Sequence, residues 1–234
     1  TAREISEAVE NMGGDLHGYS GRNSFGLQGK FLRRDFEPGF RLFAESLREP
    51  VFPEEELEKK RRETLGALKQ QKDQLTQATF LLFLAAHYGD HPYGRNPLGT
   101  ENSVGAMTPQ DLKGFYGRWA DPRNMVIAIS GDIKAEEALA AVRKNFGDFP
   151  HRPGYEPLGP LPVPSLGGIR KVEERREKQQ AHFVIGYPGA RFTDPDRYAL
   201  DVLGSALAGM GGRLFVNLRD RKSLAYSVTS FSSA

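Results

Sequence analysis

The stretch Gly211-Gly212-Arg213-Leu214-Phe215-Val216-Asn217-Leu218-Arg219-Asp220-Arg221-Lys222-Ser223-Leu224-Ala225-Tyr226-Ser227-Val228 joins a short amphipathic helix to a strand with little between them. Leu214, Phe215 and Leu218 recur at helical spacing, and Ser223 to Phe231 reads as the strand that follows. Arg219 therefore sits near the end of the helix and Tyr226 on the strand. A guanidinium and a phenol brought together in this way can hydrogen-bond a peptide carbonyl or its tetrahedral oxyanion. A helix-terminal surface Arg with a Tyr half-buried in a sheet fits the same spacing, and spacing alone favours that plainer alternative.

Upstream, Gly209, Gly211 and Gly212 break a helix expected over Asp194 to Ala208 and carrying Tyr198, Val202, Leu203 and Ala206. This glycine cluster follows a helix, so it lacks the preceding strand that a dinucleotide-binding turn needs. Ile169 to Arg176 and Ala181 to Tyr187 read as strands. Before them lies the clearest linker of the chain, 150–168, where five prolines follow Pro150 together with four glycines and no periodicity.

The first part opens on a helix to about Met12, stopped by Gly13-Gly14. Asp15 to Ser20 and Phe25 to Leu32 read as paired strands around a Ser20-Gly21-Arg22-Asn23 turn. Helices follow at Pro38 to Arg48, Pro53 to Asp73 and Gln77 to Tyr88; the second is marked by Pro53 and three acids in its first turn. Thr108-Pro109-Gln110-Asp111 opens another, Met125 to Ser130 reads as a fully apolar strand, and Glu136 to Phe146 as an amphipathic helix. Long helices between hairpin-like strands give an α+β fold, with helical layers on a largely antiparallel mixed sheet.

Composition removes whole classes of function. The 234 residues carry 32 basic and 30 acidic side chains, a net charge of +2, which is far from the strongly basic domain of a dedicated nucleic-acid binder. No apolar run approaches the roughly 20 residues of a membrane helix. With no cysteine there is no disulfide framework, no Cys-ligated zinc and no cysteine nucleophile. Thr1 and Glu4 form a Thr-x-x-Glu capping box at the very first residue, and the last strand stops with the chain. Both ends read as cut, as in a segment of a longer protein.

Among the five histidines, His87 and His91 have the spacing of zinc ligands on a helix, but Gly89 and Pro92 should already have ended it. Loop histidines that cap or face solvent are the better reading. His182 reads as a surface or hydrogen-bonded strand residue. Neither His-Glu-x-x-His nor its inverse occurs, and no serine sits in a Gly-x-Ser-x-Gly elbow. The run Arg170, Lys171, Arg175, Arg176 and Lys178 is nearly neutralised by Glu173, Glu174 and Glu177, so it reads as a solvated edge.

Several stretches together resemble the pitrilysin/insulinase (M16) family of zinc metallopeptidases along nearly the whole chain. Leu218-Arg219-Asp220 with Ser223-Leu224-Ala225-Tyr226-Ser227-Val228 resembles its Arg/Tyr motif, and Gly13-Gly14-Asp15-Leu16-His17-Gly18-Tyr19-Ser20 its strand after the zinc helix. Pro92-Tyr93-Gly94, Pro97-Leu98-Gly99-Thr100 and Asn124-Met125-Val126 to Gly131-Asp132-Ile133 resemble its landmarks in mid-domain.

The resemblance implies a pitrilysin/LuxS-metallohydrolase-like fold and a division into 1–149, an M16-type α/β domain lacking its first strands and zinc helix; 150–168, the linker; and 169–234, the beginning of a homologous domain in which Tyr226 is equivalent to Tyr19. It also implies that this segment is the non-catalytic half. The inverted His-x-x-Glu-His helix is not in the sequence; Ala67 stands where the third zinc ligand belongs and Lys60 where its supporting Glu belongs. No cofactor and no catalytic residue are then expected in the segment itself. Zn²⁺ and the general base would come from a catalytic M16 half, in the same chain or in a partner subunit. Arg219 and Tyr226 would bind the peptide substrate, and bacterial relatives of this kind are typically periplasmic or exported. The alternative is a non-proteolytic structural or assembly protein of the same fold.

Overall fold

Asp15–Ser20 and Phe25–Lys30 pair antiparallel as β1 and β2, Asp15 opposite Lys30 and Ser20 opposite Phe25, in a computed structural model that describes residues 2–159 and 161–232. Helix α1, Ala2–Asn11, leads into this hairpin through a Schellman turn. The Gly14 N–H donates to Val9 O at 3.0 Å and the Gly13 N–H to Glu10 O at 2.9 Å, with Gly13 at φ 59°. The Thr1 cap expected for α1 lies outside the described residues.

Helix α2, Phe36–Arg48, carries the aromatic row that organises the core. Phe36 and Phe43 stack on either side of Phe40 in sequence, at 5.5 and 5.9 Å, and Phe146 meets Phe40 edge-on at 6.0 Å. Phe40 is 7 % exposed, and burying such a ring contributes about 2–3 kcal/mol. Helix α3, Glu54–Asp73, starts immediately after Pro53, as its three leading acids predict. It packs on α4, Leu75–Tyr88, and on α5, Glu101–Ala106, a short helix with no counterpart among the expected elements.

Thr108 and Asp111 form the expected reciprocal capping box of α6, Pro109–Trp119. The last helix of this part, α7, Ala135–Phe146, packs on α2. Between α6 and α7, Asp121 is fully buried and accepts from Arg123 Nε at 2.7 Å, Arg123 Nη2 at 2.9 Å and the Arg152 N–H at 2.6 Å. The Arg123 guanidinium holds its carboxyl well below the usual carboxylate range, against the opposing effect of burial.

The chain divides into two units, one ending at His182 and one beginning at Phe183. The second contains α8, Arg197–Leu207, and α9, Arg213–Phe215, which runs on as a π-helical segment, Val216–Arg221. The architecture is α+β, but among the described residues its sheet is the β1–β2 hairpin alone.

The strands expected at Met125 to Ser130, Ile169 to Arg176, Ala181 to Tyr187 and Ser223 to Phe231 are therefore corrected: none of them is paired among the described residues. The first still shows a strand's alternation, with Met125, Ile127 and Ile129 half-buried and Val126 95 % exposed. A strand is completed only by a neighbour that takes up its N–H and C=O groups, and among the described residues that ladder is formed by β1 and β2 alone. No helix among the described residues is long and apolar enough to cross a membrane.

Candidate substrate-binding site

The site is built from the end of α8 onward. Gly212 is the N-cap of α9, and a Cβ there would come within 2.1 Å of Ala208 O, so only glycine permits this close approach. From it the helix runs through Phe215 and widens into the π-helical segment. The segment closes in an enlarged version of the turn that ends α1. The Leu224 N–H donates to Leu218 O at 2.8 Å and the Ser223 N–H to Arg219 O at 3.0 Å. Each bond spans one residue more than its counterpart at Gly13 and Gly14, and Ser223 takes the left-handed conformation, φ 50°.

The enlarged turn sends the chain back so that Tyr226 lies against the helix end. The Arg219 guanidinium carbon is 4.8 Å from the centre of the Tyr226 ring and 4.7 Å from that of Phe215. Both distances are within cation–π range. Arg219 is half-buried and Tyr226 is 81 % exposed. Among the described residues the Arg219 guanidinium makes no hydrogen bond or ion pair, and the Tyr226 hydroxyl makes no hydrogen bond. Several N–H donors and a phenol thus stand together, facing no acceptor of their own unit, beside a helix end. Such a pair can receive a carbonyl or an oxyanion.

The structure thus brings together the two residues that the sequence singled out. Phe215 was missed, although its place four residues before Arg219 on one helix was a signal. The enlarged turn and the strained Ser223 had no signal in hydrophobic spacing.

The α3 positions do not suit a metal. Lys60 and Ala67 share a face of α3, two turns apart, and Lys60 Nζ pairs with Glu63 at 3.0 Å. A methyl group offers no lone pair and an ammonium repels a cation, so these residues would not hold Zn²⁺. Among the described residues no three His, Cys, Asp or Glu side chains form a group able to hold a metal ion.

The histidines take ordinary structural places. His91 Nδ1 accepts the Tyr93 N–H at 3.2 Å, capping the turn Pro92–Gly94, and His87 stacks on Phe83. His182 Nδ1 lies 3.3 Å from Thr76 Oγ1. Three members of the basic run have partners: Lys171 pairs with Glu173, Arg176 with Glu174 and the Lys72 carbonyl, and Arg170 with Ala86 O.

Comparison with known proteins gives a consistent result. The family model for insulinase (peptidase family M16) matches residues 1–101, and the model for the peptidase M16 inactive domain matches residues 106–234. An uncharacterised zinc protease of Mycobacterium leprae is 32 % identical over 233 residues, which cover 98 % of this chain and 52 % of that protein. The crystal structure of a peptidase M16 inactive domain from Pseudomonas fluorescens is similar with a TM-score of 0.72 and 25 % identity, over 96 % of this chain and 55 % of that one. A protease from Helicobacter pylori has the same fold, with a TM-score of 0.81 at 21 % identity, over 100 % of this chain and 57 % of that one. The chain spans about half the length of the curated relatives it matches.

Proposed function

Since the chain belongs to the M16 peptidase family, we propose that it is the metal-free, substrate-binding part of a zinc metalloendopeptidase acting on extended peptides. The observation that carries this reading is the Arg219–Tyr226 pair, 4.8 Å from guanidinium to ring, with its donors free of acceptors among the described residues. Arg219 binds a substrate carbonyl next to the scissile bond, and the Tyr226 hydroxyl donates to the same oxygen as negative charge develops on it. Arginine suits the task because its charge is permanent and its planar fork keeps its direction.

Zinc and the base that activates water belong to a catalytic M16 half, in the same polypeptide or a partner subunit. The relatives named as zinc proteases, and the unsuitable pair Lys60 and Ala67 on α3, support that division of labour. The division of this chain into 1–149, a linker over 150–168 and a homologous domain from 169, as well as export to the periplasm, are part of the same proposal.

The test is peptide cleavage by the complete enzyme, with its catalytic half, on a quenched fluorogenic peptide. Arg219→Ala and Tyr226→Phe should each lower kcat/KM, Arg219→Ala by about 10²-fold, the usual effect of losing one oxyanion donor. Near-wild-type cleavage by Arg219→Ala overturns the assignment. If the complete protein shows no chelator-sensitive cleavage at all, the structural or assembly role takes its place.

A further inference from the structure

Phe215 has no role in the reading above, yet its ring is as near Arg219 as that of Tyr226. We propose that Phe215 is a positioning residue that holds the Arg219 guanidinium in its binding direction, an inference that rests on the substrate-binding role of the Arg219–Tyr226 pair.

The Arg219 guanidinium carbon lies over the Phe215 ring at 4.7 Å and over the Tyr226 ring at 4.8 Å. A ring that meets a guanidinium through its π face uses the cation's charge but none of its N–H donors, which project in the guanidinium plane. Arg219 is therefore held without consuming the groups needed for a substrate oxygen. An ion pair would hold it as firmly, but a carboxylate would occupy the same donors. No such carboxylate contacts Arg219 among the described residues.

The two rings also differ in what supports them. Tyr226 is 81 % exposed at a bend in a segment with no strand pairing among the described residues, whereas Phe215 is half-buried on a helix anchored at Gly212, where Val216 donates to the Gly212 carbonyl at 3.0 Å. The fixed ring is thus Phe215, four residues before Arg219 on the same rod. Tyr226 is the exposed ring, with its hydroxyl available to the ligand. The π-helical widening between them belongs to the same device, since one extra residue in that turn alters the direction in which Arg219 leaves the helix.

The experiment is a mutant cycle in the complete enzyme with its catalytic half, measured by cleavage of a quenched fluorogenic peptide. Phe215→Leu is expected to lower kcat about 10-fold, the scale of a partly desolvated cation–π contact, with KM unchanged within about 2-fold. Phe215→Tyr, which keeps the ring, is expected to retain kcat within about 2-fold. In the Arg219→Ala background Phe215→Leu is expected to add less than about 2-fold, because the group it positions is gone.

An equal loss from Phe215→Leu with and without Arg219 would overturn the positioning role while leaving the Arg219 reading intact. Full activity of Phe215→Leu, or equal losses for Phe215→Leu and Phe215→Tyr, would do the same. Full activity of Arg219→Ala would instead remove the reading on which the inference rests.

Discussion

At Ser223 a side chain stands where helix ends commonly place glycine. Its φ of 50° lies in the left-handed region, which costs an L-residue about 1 kcal/mol relative to glycine. Gly13 occupies the corresponding place after α1 at φ 59°, where no such cost arises. Ser223→Gly is therefore expected to raise stability by up to about 1 kcal/mol, read as an increased denaturation midpoint in urea. Ser223→Val is expected to lower it, because a β-branched residue is poorly tolerated there. Neither the strain nor its site could be read in advance. Arg219 and Tyr226 were legible as residue types at a suggestive spacing, but the contact between them depends on a turn enlarged by one residue. Periodicity in three side chains, Leu214, Phe215 and Leu218, does not register a single added residue.

Elements whose ends are marked by local chemistry were legible; those that depend on a distant neighbour were not. Thr108 and Asp111 lie three apart and declare the start of α6, and Gly13-Gly14 declares the end of α1. Helix α5 escaped notice because Gly and Pro dominate the residues before it, although Thr100 and Ser103 form a capping box. Its far end is held from α3. Arg61, its side chain 13 % exposed, donates to Gly105 O at 2.8 Å and Met107 O at 2.7 Å, and also reaches Val104 O. A cation at a helix C-terminus suits the carbonyls left over there. Arg61→Ala is expected to cost about 2 kcal/mol, measured by chemical denaturation. Arg61→Lys should recover only part of this, since an ammonium lacks the fork that spans several carbonyls. Met125 to Ser130 failed in the opposite sense: its residues alternate as a strand's should, and pairing is a property of two segments rather than one.

In the whole molecule, Asp121 links segments far apart in the sequence. Its folded pKa is depressed, chiefly by the Arg123 hydrogen bonds, so its contribution is complete above the ordinary carboxylate range and fades as acid protonates it. Asp121→Asn is expected to lower Tm at neutral pH. The gap to the wild type should narrow as pH falls below about 4, and a gap independent of pH would contradict the ionic origin. The Arg152 N–H that Asp121 accepts is 31 positions further along, so α7 and both its flanking turns lie inside the loop that the bond closes. Closing such a loop restricts the chain much as a covalent bridge would. Since the sequence has no cysteine, the closure is indifferent to thiols and redox conditions. It is sensitive to protons instead: a clasp that reducing agents leave shut and strong acid opens.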